Sequence, residues 1–358
     1  LSYLSSISIA VPEYIHNQES LISFYGNATN DANSQRKINA VAKKSGIEKR
    51  YSVLPDFSLE PESYTFFAST LQDPEPTMSQ RMTLYKQHAL NLALQSIRSM
   101  PNYHGIKNSI THIITVTCTG LFAPGLDIEI IEALDLPKTT QRSSINFMGC
   151  NAAIIALNQA NSICKAYGNA QVLVVSVELC SIHFQRNFSD DYILSNSLFG
   201  DGSAACIVSS QPLINSKSIG IKSFHSAIIH NGFGDMAWYL SEQGFLMNLS
   251  TYVSQLINSE IKNLLVSAGI DLQSIKHWAV HPGGKKILDE LSVALLLPKE
   301  NFIDSYNTLR EYGNMSSATI LFVLHSLLST NTISQNEPLL AVAFGPGLSV
   351  ETMMLEYV

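Results

Sequence analysis

Gly149-Cys150-Asn151-Ala152-Ala153-Ile154-Ile155-Ala156-Leu157 reads as a glycine turn running into an apolar helix. Gly313-Asn314-Met315-Ser316-Ser317-Ala318-Thr319-Ile320-Leu321 carries the same pattern. Glycine breaks regular structure, and the residues behind it form apolar helical faces. Working outward, each is preceded by an apolar strand that ends in a small turn: His112-Ile113-Ile114-Thr115-Val116-Thr117-Cys118-Thr119-Gly120 and His277-Trp278-Ala279-Val280-His281-Pro282-Gly283. Each is followed by another, at 172–176 and 339–343. The pairs fall at nearly one spacing, 112 against 277, 150 against 314, and 172 against 339. Any apolar strand resembles any other, but a shared order and spacing indicate duplication. We expect two similar halves, 1–213 carrying Cys150 and 214–358 carrying His281 and Asn314.

Residues 2–11 alternate as a strand, 72–76 read as a loop, and 82–100 read as a helix with Leu90, Ala93, Leu94 and Ile97 on its apolar face. Residues 111–117 and 205–209 read as buried strands. Strands alternating with helices indicate an α/β architecture. Of the 358 residues 46% are hydrophobic and only 14% charged, against about 25% charged in typical domains. This composition excludes disorder and supplies a large core with apolar surface left for a subunit interface. The net charge of −7 and the lack of a basic run argue against nucleic acid as a partner. No apolar run approaches the roughly 18 residues of a membrane span. The chain opens on Leu1, so a short preceding segment is expected, and no secretory pattern follows. Five scattered cysteines form no C-x-x-C pair, and no histidine cluster has zinc spacing. A reducing, cytoplasmic setting fits best.

Cys150 stands at a helix start, where the helix dipole favours thiolate over thiol. The same segment also fits a buried structural cysteine at a glycine turn. His281 stands at a strand end before Pro282-Gly283-Gly284, where backbone positions the imidazole to take a proton from a thiol. It also fits a cap on a helix beginning near Lys285. Asn314 offers an amide donor to a developing oxyanion, or a plain turn residue. The duplication favours catalysis, because a pseudo-twofold arrangement brings both helix starts to one point. Leu198-Phe199-Gly200-Asp201-Gly202-Ser203 and Phe344-Gly345-Pro346-Gly347-Leu348 read as tight turns. Neither is a dinucleotide fingerprint, and there is no P-loop.

Four motifs now stand together: Met148-Gly149-Cys150, Trp278-Ala279-Val280-His281-Pro282-Gly283-Gly284, Tyr312-Gly313-Asn314-Met315-Ser316-Ser317 and the Phe344–Leu348 turn. In this order they resemble the type III polyketide synthases, the chalcone synthase-like branch of the thiolase superfamily, almost from end to end. The resemblance implies a homodimer of thiolase-like, five-layered αβαβα subunits and no metal or prosthetic group. Cys150 would carry the acyl chain as a thioester. His281 and Asn314 would stabilise the malonyl-derived enolate and the thioester oxyanion, and His281 would keep Cys150 ionised. Phe199 would border the CoA tunnel and favour decarboxylation. Lys37 and Lys44 match basic CoA-binding positions of the plant enzymes, whose arginine is here Ala40, and Lys285 or Lys286 would supply the missing charge.

Departures from the plant pattern bear on substrate. Met247 replaces a gatekeeper phenylalanine, Cys180 and His183 replace pocket threonines, and Ala123 replaces a methionine that reaches across the dimer. Thr119 and Ser316 complete the expected substrate pocket. These changes resemble microbial alkylpyrone and alkylresorcinol synthases, which take fatty acyl starters. Each buried methylene contributes about 0.8 kcal/mol. Cys118 stands at one position of the hydroxyl relay used for aldol closure, and a thiol is the poorer hydrogen-bond partner. The reading therefore leans to lactonisation, with acyl-CoA and malonyl-CoA as substrates and an acyl carrier protein as an alternative acyl donor. The competing readings are a ketoacyl-ACP synthase III-like enzyme of one condensation, a papain-like protease, and a non-catalytic acyl-binding partner. The first expects a His-Gln-Ala-Asn context, the second other surroundings for its cysteine, and the third has no need of Cys150, His281, Asn314 and Phe199 together.

Overall fold

A computed structural model of the chain describes residues 1–213, 219–330 and 333–357. The expected boundary after residue 213 falls against 214–218, outside the described residues. The strands of the main sheet are β1 (Ser2–Ala10), β2 (His112–Thr117), β3 (Gln141–Asn146), β4 (Gln171–Leu179), β5 (Asp201–Ser209), β6 (Ile219–Ile228), β7 (His277–Val280), β8 (Pro338–Gly345) and β9 (Ser349–Tyr357). Their order is β7-β8-β9-β6-β1-β5-β4-β2-β3. Read from the central β1–β6 pair outward, the two arms match over four strands (first strand, last strand, then two parallel neighbours), and β3 adds an edge strand to the first arm. β2 runs parallel to β4 with His112 opposite Val172, and β7 runs parallel to β8 with His277 opposite Leu339. The duplication read from spacing therefore holds to the register of single residues.

The principal helices are α1 (Gln18–Asn27), α2 (Ala32–Lys44), α3 (Met78–Arg98), α4 (Leu126–Leu134), α5 (Ala152–Ala166), α6 (Asp190–Leu198), α7 (Val253–Ser267), α8 (Lys285–Leu295), α9 (Ile303–Tyr312) and α10 (Thr319–Ser329). Alternation along the strands creates the layers, since successive side chains face opposite ways. Val172 and Val174 of β4 face α5 and α10, as do Leu339 and Ala341 of β8. Leu173 and Val175 face the other way, toward α1, α3 and α4, while Leu340 and Val342 face α7 and α8. The result is α/β/α/β/α, with α5 and α10 shared as the central layer. No helix among the described residues is long and apolar enough to cross a membrane.

Two local expectations need correction. α3 begins one turn earlier than its apolar periodicity suggests, because Thr77 and Gln80 form a reciprocal capping box that satisfies otherwise orphan donors. Its buried stripe runs through Tyr85, Ala89, Leu92, Ala93 and Ile97, leaving Leu90 and Leu94 at the margin. The Leu198–Ser203 segment is not a compact turn. Phe199 and Gly200 carry the chain from the end of α6 straight into β5 at Asp201.

Candidate active site

Cys150 lies two residues before α5, in the turn set by Gly149. Its sulfur sits 3.7 Å from the Ser316 hydroxyl, and the Asn314 amide also faces it. Asn314 lies five residues before α10, because a single helical turn at Ser316–Ala318 intervenes. The two helix starts correspond, but they are not equally close to their polar residues. Asn314 is fixed on all sides: its N–H donates to Leu198 at 2.9 Å, its amide donates to Gly283 at 3.3 Å, and its Oδ1 accepts from the Ser316 N–H at 2.8 Å. His281 follows β7, held by its N–H to the Val342 carbonyl at 2.8 Å. Phe147 and Ser316 adopt positive φ values of 62° and 47°. Strain of this kind gathers where a site over-determines its backbone.

His281 is fully buried, and among the described residues neither ring nitrogen has a hydrogen-bond partner, the Cys150 thiol included. Burial pushes its pKa down to about 3 and pushes the Cys150 thiol up to about 12. The Ser316 hydroxyl and Asn314 amide pull the thiol the other way, but desolvation outweighs them. Burial therefore works against the standing thiolate–imidazolium pair expected from the sequence. Leaving a buried polar group unpaired costs about 1–3 kcal/mol, and such groups call for a functional explanation.

A cleft of about 860 Å³, counting its open mouth, runs past the thiol. Cys118, Thr119, Cys180, His183, Phe199, Met247 and Ser316 line it with Cys150, as do Leu21, Phe57, Phe184, Trp238 and Phe245. His281 and Asn314 stand behind this lining rather than on it. The His183 ring stacks on Phe245 at 4.1 Å, and its Nε2 lies 2.8 Å from the Thr119 carbonyl, which can only accept. Its proton therefore sits on Nε2, and burial pushes its pKa to about 3, so it adds no charge to the wall.

Other expected residues lie elsewhere. Ala123 is exposed in the loop before α4 and does not line the cleft. Lys37 is half-exposed and pairs with Asp190 at 2.7 Å, and Lys44 is exposed at the end of α2. Lys285 pairs with Asp289 at 2.7 Å, and its stem lies over Gly46, two residues past Lys44. None of the three lysines lines the cleft. They remain on the surface because a lysine head keeps its hydration.

Sequence reasoning passed over Glu178. This buried carboxyl accepts the Cys118 N–H at 3.0 Å, the Thr119 hydroxyl at 2.8 Å and the Ser317 hydroxyl, while burial raises its pKa. A lone acid in the apolar run of β4 was the available signal, since such residues are almost never buried without partners. Glu178 takes the backbone N–H of Cys118, whereas the Cys118 sulfur accepts from the Gly149 N–H at 3.1 Å.

A family model described as chalcone and stilbene synthases, N-terminal domain, matches residues 2–212, and its C-terminal counterpart matches 221–358. The chain belongs to this family. It is a type III polyketide synthase and hence a condensing acyltransferase. The chain is 30% identical to the probable polyketide synthase 1 of Dictyostelium discoideum, aligning over its own full length but spanning only 11% of that relative. It is 28% identical to the alpha-pyrone synthesis polyketide synthase-like Pks18 of Mycobacterium tuberculosis, over all of this chain and 92% of that one. Among solved structures, the C-terminal type III polyketide synthase domain of Steely1 from Dictyostelium superposes with a TM-score of 0.88 at 28% identity, covering 100% of this chain and 99% of that one. PKS-I of the brown alga Ectocarpus siliculosus gives 0.89 at 25%, covering 100% and 98%.

Proposed function

We propose that this type III polyketide synthase loads a medium- or long-chain fatty acyl group from CoA onto Cys150, extends it with several malonyl-CoA units, and releases an alkylpyrone. In loading, the Cys150 sulfur attacks the thioester carbonyl, its proton passes to the His281 imidazole, and the leaving CoA sulfur takes that proton from the imidazolium and departs as the thiol. A neutral His281 suits this step, since it can take the proton as the sulfur attacks. In extension, malonyl-CoA loses carbon dioxide and the electron pair stays behind as an enolate. The Asn314 amide and an imidazole N–H donate to its oxygen. Phe199 offers the malonyl carboxylate an apolar face, which favours loss of that charge. The enolate carbon then attacks the Cys150 thioester, and the thiolate leaves.

The observation that carries the substrate class is the lining of the cleft. Leu21, Phe57, Phe184, Phe245 and Met247 share one wall space with Cys150, the Arg50 guanidinium on the same lining is engaged by main-chain carbonyls, and burial lowers the pKa of both histidines there, His16 and His183. At about 0.8 kcal/mol per buried methylene, such a surface selects for alkyl chains. Met247 adapts its shape to them. Lactone closure is favoured because the Cys118 thiol, with a raised pKa, stands in place of a hydroxyl beside Ser316 and the Gly149 N–H. The reading includes a homodimer, as the family resemblance implies, and needs no metal or prosthetic group. Lys37, Lys44 and Lys285 are the proposed contacts of the CoA phosphates.

The test is incubation with acyl-CoA starters from acetyl to palmitoyl, plus malonyl-CoA. Products are identified by mass and adducts located on Cys150. Long-chain pyrones are expected. Turnover of short or aromatic starters alone would overturn the substrate class, and products of a single condensation would favour the ketoacyl synthase III-like alternative.

A further inference from the structure

Arg50 lines the cleft yet is only 6% exposed; its Nε has no partner among the described residues, and its Nη1 is held by main-chain oxygens. Its Nη1 donates to the Asn196 carbonyl at 2.9 Å and the Phe199 carbonyl at 2.6 Å. Asn196 lies in the last turn of α6, where carbonyls lack intrahelical donors and the helix dipole is negative. The guanidinium therefore caps α6. Asp201 supplies compensating charge nearby, while its carboxylate accepts from the Val53 N–H and from Ser181.

Immediately past that cap, the chain makes an isolated bridge to the other half of the molecule. The Asn314 N–H donates to Leu198 and the Gly200 N–H donates to Asn314, both at 2.9 Å. This places Phe199 and Asn314 side by side. The stem of Arg50 fills the space behind them. A Cβ on Gly313 would fall 2.8 Å from both Cγ and Cδ of Arg50, and Gly313 has a φ of 71°. One side chain thus grips the carbonyl of Phe199 and backs the residue before Asn314. The backbone of Cys150 is set separately, by the Gly149 turn and the start of α5.

We propose that Arg50 is a positioning residue for decarboxylation: it holds Phe199 and Asn314 in register, and loading of Cys150 does not depend on it. The inference rests on the roles given above to Phe199 and Asn314. Loading needs the thiol and one oxyanion donor, which either His281 or Asn314 can supply. Decarboxylation needs the apolar ring on the carboxylate and the amide on the enolate oxygen at once, so it is the step sensitive to their spacing. In that step the carbon–carboxylate bond breaks, carbon dioxide leaves, and the enolate takes a proton from water when no acyl group is present, giving acetyl-CoA.

Arg50→Met keeps most of the stem and removes the donors. Arg50→Lys keeps the charge but loses the planar fork, so it reaches one carbonyl at a time. The assays are acylation of Cys150 followed by intact mass, and release of acetyl-CoA from malonyl-CoA without a starter. For Arg50→Met we expect loading within about threefold of wild type and decarboxylation down about 100-fold, the scale of an ångström-level misplacement. The loss falls on kcat more than on KM, and Arg50→Lys recovers part of it. Parallel loss of both activities, unfolding of both variants, or unchanged decarboxylation overturns the proposal. A wild-type enzyme that neither loads acyl groups nor decarboxylates malonyl-CoA would instead refute the underlying assignment of the site, and this inference with it.

Discussion

Gly149→Ala should damage both the fold and the nucleophile, by an amount that follows from two features of the turn. Gly149 has a φ of 99°, and an added Cβ would lie 2.1 Å from Cδ and 2.8 Å from Cγ of Pro346, with Trp238 at 3.2 Å. Holding a non-glycine residue at such a φ costs about 1–2 kcal/mol. Forcing a methyl into the rigid ring of Pro346 adds about 1–3 kcal/mol, as overpacking usually does. The expected loss is therefore about 2–5 kcal/mol, read as a lower urea midpoint at unchanged slope. The turn relieves the overlap by moving, and Cys150 is the next residue, so acyl loading should fall about 100-fold. Gly168→Ala is the matched control, because a Cβ there meets nothing within 4 Å. A Gly149→Ala protein within 0.5 kcal/mol of wild type that still loads acyl-CoA at a near-normal rate would refute the packing argument, and with it the claim that this turn aims the sulfur.

Two further outcomes follow. His281 is held neutral by burial, with a pKa near 3 against an ordinary 6.5, so below pH 6.5 the unfolded chain binds a proton that the folded protein refuses. Stability linked to this group is complete above pH 6.5 and is lost on acidification toward pH 3, at about 1.4 kcal/mol per pH unit. The stability of wild type relative to His281→Asn should therefore decline by about 2 kcal/mol between pH 6.5 and 5; parallel urea profiles for the two proteins would contradict it. Cys118→Thr puts a hydroxyl beside Ser316 and the Gly149 N–H, so the product mixture, read by mass and ultraviolet spectrum, should shift from pyrone toward resorcinol. An unchanged ratio would remove the thiol from the account of ring closure.

Much of the architecture was legible because repetition leaves a trace in spacing. The separations of His112 and Val172 from their counterparts reappear as matched register in the two arms of the sheet. Motif contexts carried the polar residues in the same way, since Gly149, Gly283 and Gly313 mark where the chain must turn. Other parts left weaker traces. The start of α3 was written in Thr77 and Gln80, but a capping box is easily masked by the stronger apolar pattern behind it. Glu178 stood as one acid in an apolar strand. Arg50 lay between a lysine and a tyrosine and looked like any surface cation.

The sequence by itself determined the duplicated α/β plan, the family, and which residue types can do the chemistry, because periodicity, turn residues and motif order are local properties of the chain. Tertiary structure alone decided that burial opposes charge on both Cys150 and His281, that Ala123 and the three lysines stand off the cleft lining, and that Phe199 meets Asn314 through a bridge gripped by Arg50. Desolvation and contact depend on what the rest of the molecule packs around a group, and residues 50, 199 and 314 share no neighbourhood until the halves close on one another.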